Sequence, residues 1–144
     1  MKLAVYIVED DPLVQDSLKV VIEAYLRAQV MGWAPSEAEA LAWLRANDGR
    51  WHLLVVDLTL AQGSGLGVLA AVAQIQASRV VGQGTGKGGG KGIGKGVVVA
   101  LTNAASPGNR ATCLRLGADA VFDKSEEINE FLAYCEKTIP GAAH

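Results

Sequence analysis

The sequence predicts an open α/β fold: a doubly wound sheet of five parallel strands flanked by five helices. Three observations predict it. Short apolar runs alternate along the chain with segments of helical periodicity. The runs are rich in Val, Ile and Leu without polar alternation, as strands covered on both faces are. Two of them end in acid, Glu9-Asp10-Asp11 after the first and Asp57 after LLVV, at the strand ends where such sheets bind ligands.

Leu3–Val8 is the first strand. Asp11-Pro12 then supplies an N-cap and a first-turn proline, and Val14, Leu18, Val21, Ile22 and Tyr25 form one apolar stripe at helical spacing. Gln29–Ala34 reads as a second strand. Ser36 and Glu39 make a capping box for a helix through Leu44 that stops near Asn47-Asp48-Gly49. Leu53–Val56 is the third strand and Leu66–Ile75 an Ala- and Val-rich helix. Val97–Leu101 is the fourth strand, and Arg110–Leu116 is a short helix stopped by Gly117. Ala120–Phe122 is the fifth strand. Ser125 is the expected cap of a last helix whose stripe is Ile128, Phe131, Leu132, Cys135 and Ile139.

The bulk properties suit one domain, expected over residues 1–139 with a 140–144 tail. The chain has 144 residues, half of them hydrophobic, and a net charge of −2, which argues against disorder and against a general polyanion binder. Cys113 and Cys135 show no metal spacing and no CxxC, so buried free thiols are expected. His52, beside Trp51 at the start of a strand, lies at the wrong end for chemistry. No apolar run is long enough to span a membrane, and the start meets acid too soon for a signal peptide. A cytoplasmic protein with no membrane partner is expected.

The acids demand a counter-charge. At an effective dielectric near 20, two carboxylates about 4 Å apart repel by about 4 kcal/mol. Oxygen donors without His or Cys favour a hard cation, Mg²⁺ rather than Zn²⁺.

Taken with their order, IVEDDP at 7–12, VVDLTLAQGSGLGVL at 55–69, ALTN at 100–103 and LGADAVFDKS at 116–125 resemble the receiver (CheY-like) domain of bacterial two-component response regulators, with its flavodoxin-like fold. The similarity runs from Lys2 to about Ile139. It implies a phosphorylation-dependent signalling protein, a phosphoacceptor rather than an enzyme, with Asp57 taking the phosphoryl group from a sensor histidine kinase, a phosphotransfer protein or a small phosphodonor. It further implies Asp10, Asp57 and the Thr59 carbonyl as Mg²⁺ ligands and Glu9 as a ligand through water. Lys124 and Thr102 would each take a phosphoryl oxygen. Asp11 is either a helix cap or part of the outer metal shell. Output would be a binding event with an unknown downstream protein, or self-association through the 110–139 face.

Departures from the family pattern bear on switching. Ala61 replaces the usual proline four residues after the acceptor, and Val121 replaces the aromatic three residues before the lysine. Phe122 points to the other face of its strand, so the read-out is expected to be weakened or rerouted through Thr102 and the loop after it. Thr59 and Ala104 carry no group that would position an attacking water as strongly as an acid or amide would, which implies slow self-dephosphorylation.

A Gly/Lys-rich tract at about 82–96 lengthens the connection before the fourth strand. Growth of a loop from about 4 to about 19 residues costs only about 1.4 kcal/mol, so the fold should tolerate it as a flexible loop at the amino end of the sheet. Gly89–Lys95 matches G-x-x-x-x-G-K, but Gly96 stands where Ser or Thr should hold magnesium. Lys87, Lys91 and Lys95 could touch an anion weakly; no nucleic-acid partner is expected. Two alternative readings therefore accompany the main one: a pseudo-receiver that only binds partners, and a nucleotide- or anion-binding protein built on the tract.

Overall fold

A computed structural model of the chain describes residues 2–82 and 94–144. Strands β1 (Leu3–Val8), β2 (Ala28–Ala34), β3 (Leu53–Val56), β4 (Val97–Thr102) and β5 (Ala120–Asp123) form one parallel sheet in the order β2-β1-β3-β4-β5. Helices α1 (Pro12–Tyr25), α2 (Glu37–Ala46), α3 (Gly65–Gly82), α4 (Pro107–Leu116) and α5 (Ile128–Thr138) connect them. The predicted architecture is the observed one.

Side-chain alternation along the strands builds two cores. Leu53, Val55, Val99 and Leu101 face Leu18 and Ile22 of α1 and Phe131, Leu132 and Cys135 of α5. Leu54, Val56, Val98 and Ala100 face Ala40 and Leu44 of α2, Val68, Leu69 and Val72 of α3 and Cys113 of α4. Both cysteines are free and buried. Val121 packs on the second face and Phe122 on the first, as strand alternation requires. The sheet is buried on both faces, which is why its strands read as unbroken apolar runs.

Several boundaries differ from the sequence reading. Helix α3 runs beyond Ile75 to Gly82; the intervening residues include no proline or glycine to stop it. Buried Gln76, in that extension, accepts the Gly96 N–H at 2.6 Å and so joins α3 to the entry of β4. Helix α4 starts a turn early, at Pro107, because Ser106 is its cap and accepts the Asn109 N–H. Ser125 does not cap α5, which begins after Glu127 with no side-chain cap. Asp123 instead accepts the Ser125 and Glu126 N–H groups at 2.8 and 3.0 Å, and this turn delays the helix. Tyr25, expected in the α1 stripe, is 45% exposed; Leu26 takes the buried place as the chain leaves the helix.

Two further expectations hold and one cannot be followed. Ser36 caps α2 through the Glu39 N–H, and His52 is structural, its Nδ1 accepting the Ala4 N–H at 2.8 Å. Of the Gly/Lys-rich tract, residues 83–93, including Lys87 and Lys91, lie outside the described residues. Past the expected domain end, Ala142 is buried and its carbonyl accepts the Arg27 N–H at 2.8 Å.

Candidate functional site

The strand order reverses direction of winding between β1 and β3, and a crevice opens at the carboxyl ends of strands there. Its lining includes Glu9, Asp10 and Asp11 after β1, Asp57 and Thr59 after β3, Thr102, Asn103 and Ala104 from β4 onward, and Lys124 after β5. Glu9, Asp10, Asp11, Asp57, Thr59, Thr102 and Lys124, the residues that the resemblance assigns to the metal and phosphoryl site, therefore line one cleft. A second, mostly apolar cavity between α3 and α4 is lined by Val72, Ala73, Gln76, Ala77, Lys95, Val98 and Gly117 and gathers no such set of ionisable groups.

Lys124 is the hinge of the electrostatics. Its ammonium lies 2.6 Å from Glu9 Oε1 and 3.1 Å from Asp57 Oδ2. Glu9 is 2% exposed and Asp57 7%. Burial pushes the Glu9 carboxyl above its ordinary range; the hydrogen bonds from Lys124 and the Asp11 N–H recover only part of the shift. Burial disfavours the charged Lys124 too, but Glu9 and Asp57 outweigh it and hold the ammonium above its usual value. Lys124 is therefore held as an ammonium between the two carboxyl groups.

One cation does not balance the cleft. Glu9, Asp10 and Asp57 each offer a carboxylate oxygen, all within 4.8 Å of one another. That donor set is all oxygen, without His or Cys, and suits a hard divalent ion such as Mg²⁺. The hydrogen bonds sort the acids further. Glu9 is taken up by Lys124 and by the Asp11 N–H at 3.1 Å. Asp10 accepts the Ala61 N–H through Oδ2 at 2.6 Å. Asp57 Oδ1 accepts its own Thr59 N–H at 3.3 Å. Asp11 caps α1, accepting the Leu13 N–H at 2.9 Å, while also lining the cleft; both of its sequence readings stay open. Thr102 is buried, and its hydroxyl oxygen accepts the Ala104 N–H at 3.0 Å.

Local sequence explains why these groups hold still. Gly65 lies so close to the Asp57 carbonyl that a Cβ would overlap it, so the turn out of β3 needs glycine there. Gln15, buried at 4% exposure, donates to the Glu9 carbonyl at 2.5 Å. Sequence reasoning missed Gln15, although a polar residue in phase with Leu18 and Ile22 on a buried stripe was the available signal. It also missed Arg110, whose guanidinium donates to the Ala105 carbonyl at 2.9 Å, the Val121 carbonyl at 3.2 Å and Glu127 at 2.6 Å. That junction joins the loop after Thr102 to β5 and to the start of α5.

The fold is that of CheY-like response-regulator receiver domains. A chain of the CheX-CheY-BeF3-Mg+2 complex from Borrelia burgdorferi matches with a TM-score of 0.75, 14% identity, and coverage of 94% of this chain and 87% of that one. A LuxR-family two-component response regulator from Aurantimonas sp. SI85-9A1 matches with a TM-score of 0.77 and 18% identity over 99% of this chain and 89% of that one. The signal receiver domain of the putative response regulator NarL from Mycobacterium tuberculosis matches with a TM-score of 0.72 and 20% identity over 95% and 98%. No family sequence model and no curated protein sequence matches the chain. The likeness at these identities is one of fold.

Proposed function

We propose that this chain is a phosphoacceptor signalling receiver. The observation that carries the reading is the placement of Lys124 between Glu9 and Asp57, with Asp10 beside them, at the switch point of the sheet. Three segments far apart in sequence meet there. A donor-bound phosphoryl group, on a phosphohistidine of a sensor kinase or phosphotransfer protein or on a small acyl phosphate, is the substrate. An Asp57 carboxylate oxygen attacks phosphorus as the bond to the donor breaks, giving an acyl phosphate; the leaving donor atom keeps the bonding electrons.

Asp10, Asp57 and the Thr59 carbonyl would hold Mg²⁺, with Glu9 acting through water and Asp11 at the edge. The bound ion supplies neutralisation of charge between the carboxylate and the incoming phosphoryl oxygens, the main requirement of phosphoryl transfer. Lys124, already against Asp57, takes one phosphoryl oxygen by moving off the carboxylate it now contacts. Thr102 can donate its hydroxyl proton to another while keeping its bond from Ala104. The acyl phosphate carries up to about −2 charge where the carboxylate carried one, beside the Thr102 loop, so output is a change in protein–protein contacts, including self-association through the 110–139 face. Among the described residues no helix is long and apolar enough to cross a membrane.

Intact-mass measurement after incubation with acetyl phosphate tests the proposal. One added phosphoryl group is expected, dependent on Mg²⁺ and absent from Asp57→Asn. No mass gain in a folded protein would leave a binding-only pseudo-receiver. With no side chain at Thr59 or Ala104 suited to position water, the adduct should outlast a desalting step of minutes; its loss within seconds would contradict that part of the reading.

A further inference from the structure

The loop after Asp57 is gripped from outside the cleft by the first residue of α2. Gly65 N–H donates to the Leu58 carbonyl at 3.1 Å, and Thr59 pairs with Ser64 in an antiparallel bridge. The chain thus leaves β3 and returns beside itself before α3 begins, so Thr59 sits across from Ser64. Glu37 holds the returning limb: its Oε1 accepts the Ser64 N–H at 2.8 Å, and its own N–H donates to the Gln62 carbonyl at 3.2 Å. Ser36 adds a parallel bridge to Gln62.

Two glycines admit the Glu37 side chain. Gly63 turns there with φ +85°, and a Cβ at either Gly63 or Gly67 would overlap Glu37 atoms. Gly67 lies in the first turn of α3, where the positive end of the helix favours an anion. On the opposite side, Ala61 N–H ties the same loop to Asp10 at 2.6 Å. A proline at 61 could not make that bond.

We infer that Glu37 is a positioning residue for the cation site. By fixing Ser64 it fixes Thr59 across the bridge, and so presents the Thr59 carbonyl and Asp10 to the same ion before the ion arrives. A loop ordered in advance spares binding the entropy of ordering it. The inference rests on the Mg²⁺-dependent reading above.

Calorimetric Mg²⁺ titration of the full chain tests it, with wild type, Asp10→Asn, Glu37→Asp and Glu37→Gln, each first shown folded by circular dichroism. Glu37→Asp keeps the charge and suits a helix start but loses the reach to Ser64, and should weaken Mg²⁺ binding by about tenfold, the worth of a charge-assisted hydrogen bond. Glu37→Gln keeps an acceptor oxygen at full reach and should stay within about threefold of wild type. The reverse order, or wild-type affinity in Glu37→Asp while Asp10→Asn loses binding, would overturn the positioning role and leave the metal site standing. Failure of the wild type to bind Mg²⁺ would overturn both.

Discussion

Lys124 shows how much one side chain can carry. Removing one partner of a buried charge pair is costly because the other charges stay behind. Lys124→Met should therefore destabilise the metal-free protein by about 3 kcal/mol in urea unfolding, since Glu9 and Asp57 would face each other without a cation. The same change should tighten Mg²⁺ binding, because a positive charge no longer competes for the acids; weaker binding in the variant would show that the lysine helps to build the ion site. At this scale the sequence was highly legible: Glu9, Asp10, Asp57, Thr102 and Lys124 all reach the cleft. What stayed hidden was backbone chemistry. No letter in the sequence marks the Ala61 N–H as a donor to Asp10, or the Ser64 N–H as the target of Glu37.

Elements meet at Arg110, where α4, β5 and the start of α5 share one guanidinium. The Arg110 hydrogen bond, with the Asp123 N–H, holds the Glu127 carboxyl below its ordinary value of 4.5. A carboxyl whose folded pKa is depressed contributes its full stabilisation above the unfolded pKa and loses it as pH falls through the folded one. Urea midpoints of wild type and Glu127→Gln should thus differ at pH 7 and converge in acid, below the ordinary carboxylate range. A gap unchanged down to pH 3 would mean that the pair contributes packing rather than charge. The Val121 carbonyl accepts from this arginine. The Arg110 junction therefore spans the path from the Thr102 loop to the 110–139 face. Element ends were the least legible feature: the Asp123 turn displaced the α5 start because a local side-chain bond competes with helix initiation.

For the whole molecule, the connection before β4, between Gly82 and Val97, is the longest between two elements. Val97 pairs with Leu53 at the amino end of the sheet, while the acids gather at the carboxyl end. The Gln76 side chain and Gly96, the latter set against the Trp51 ring, anchor the entry to β4 independently of residues 83–93. Replacing residues 83–93 with a short linker should change unfolding free energy by only about 1 kcal/mol. Phosphorylation by acetyl phosphate should proceed at the wild-type rate in that variant. A loss of phosphorylation would assign the tract a part in the chemistry that its junction with β4, at the end of the sheet away from the acids, does not suggest.

Periodicity and strand-end chemistry, both local properties of the chain, were enough to determine the fold class, the strand sequence and the acids of the cleft, while Thr102 and Lys124 were legible only through the resemblance to receiver domains. Burial on both faces forces apolar runs, and a parallel sheet forces ligand groups to the carboxyl ends of those runs. Tertiary structure alone decided which oxygen of each acid is already occupied, how Glu37 reaches the loop after Asp57, and where Arg110 spends its donors. Those are long-range hydrogen bonds, several of them to backbone atoms. Their energies depend on ångström-scale placement by elements far apart in sequence, and no local pattern encodes that placement.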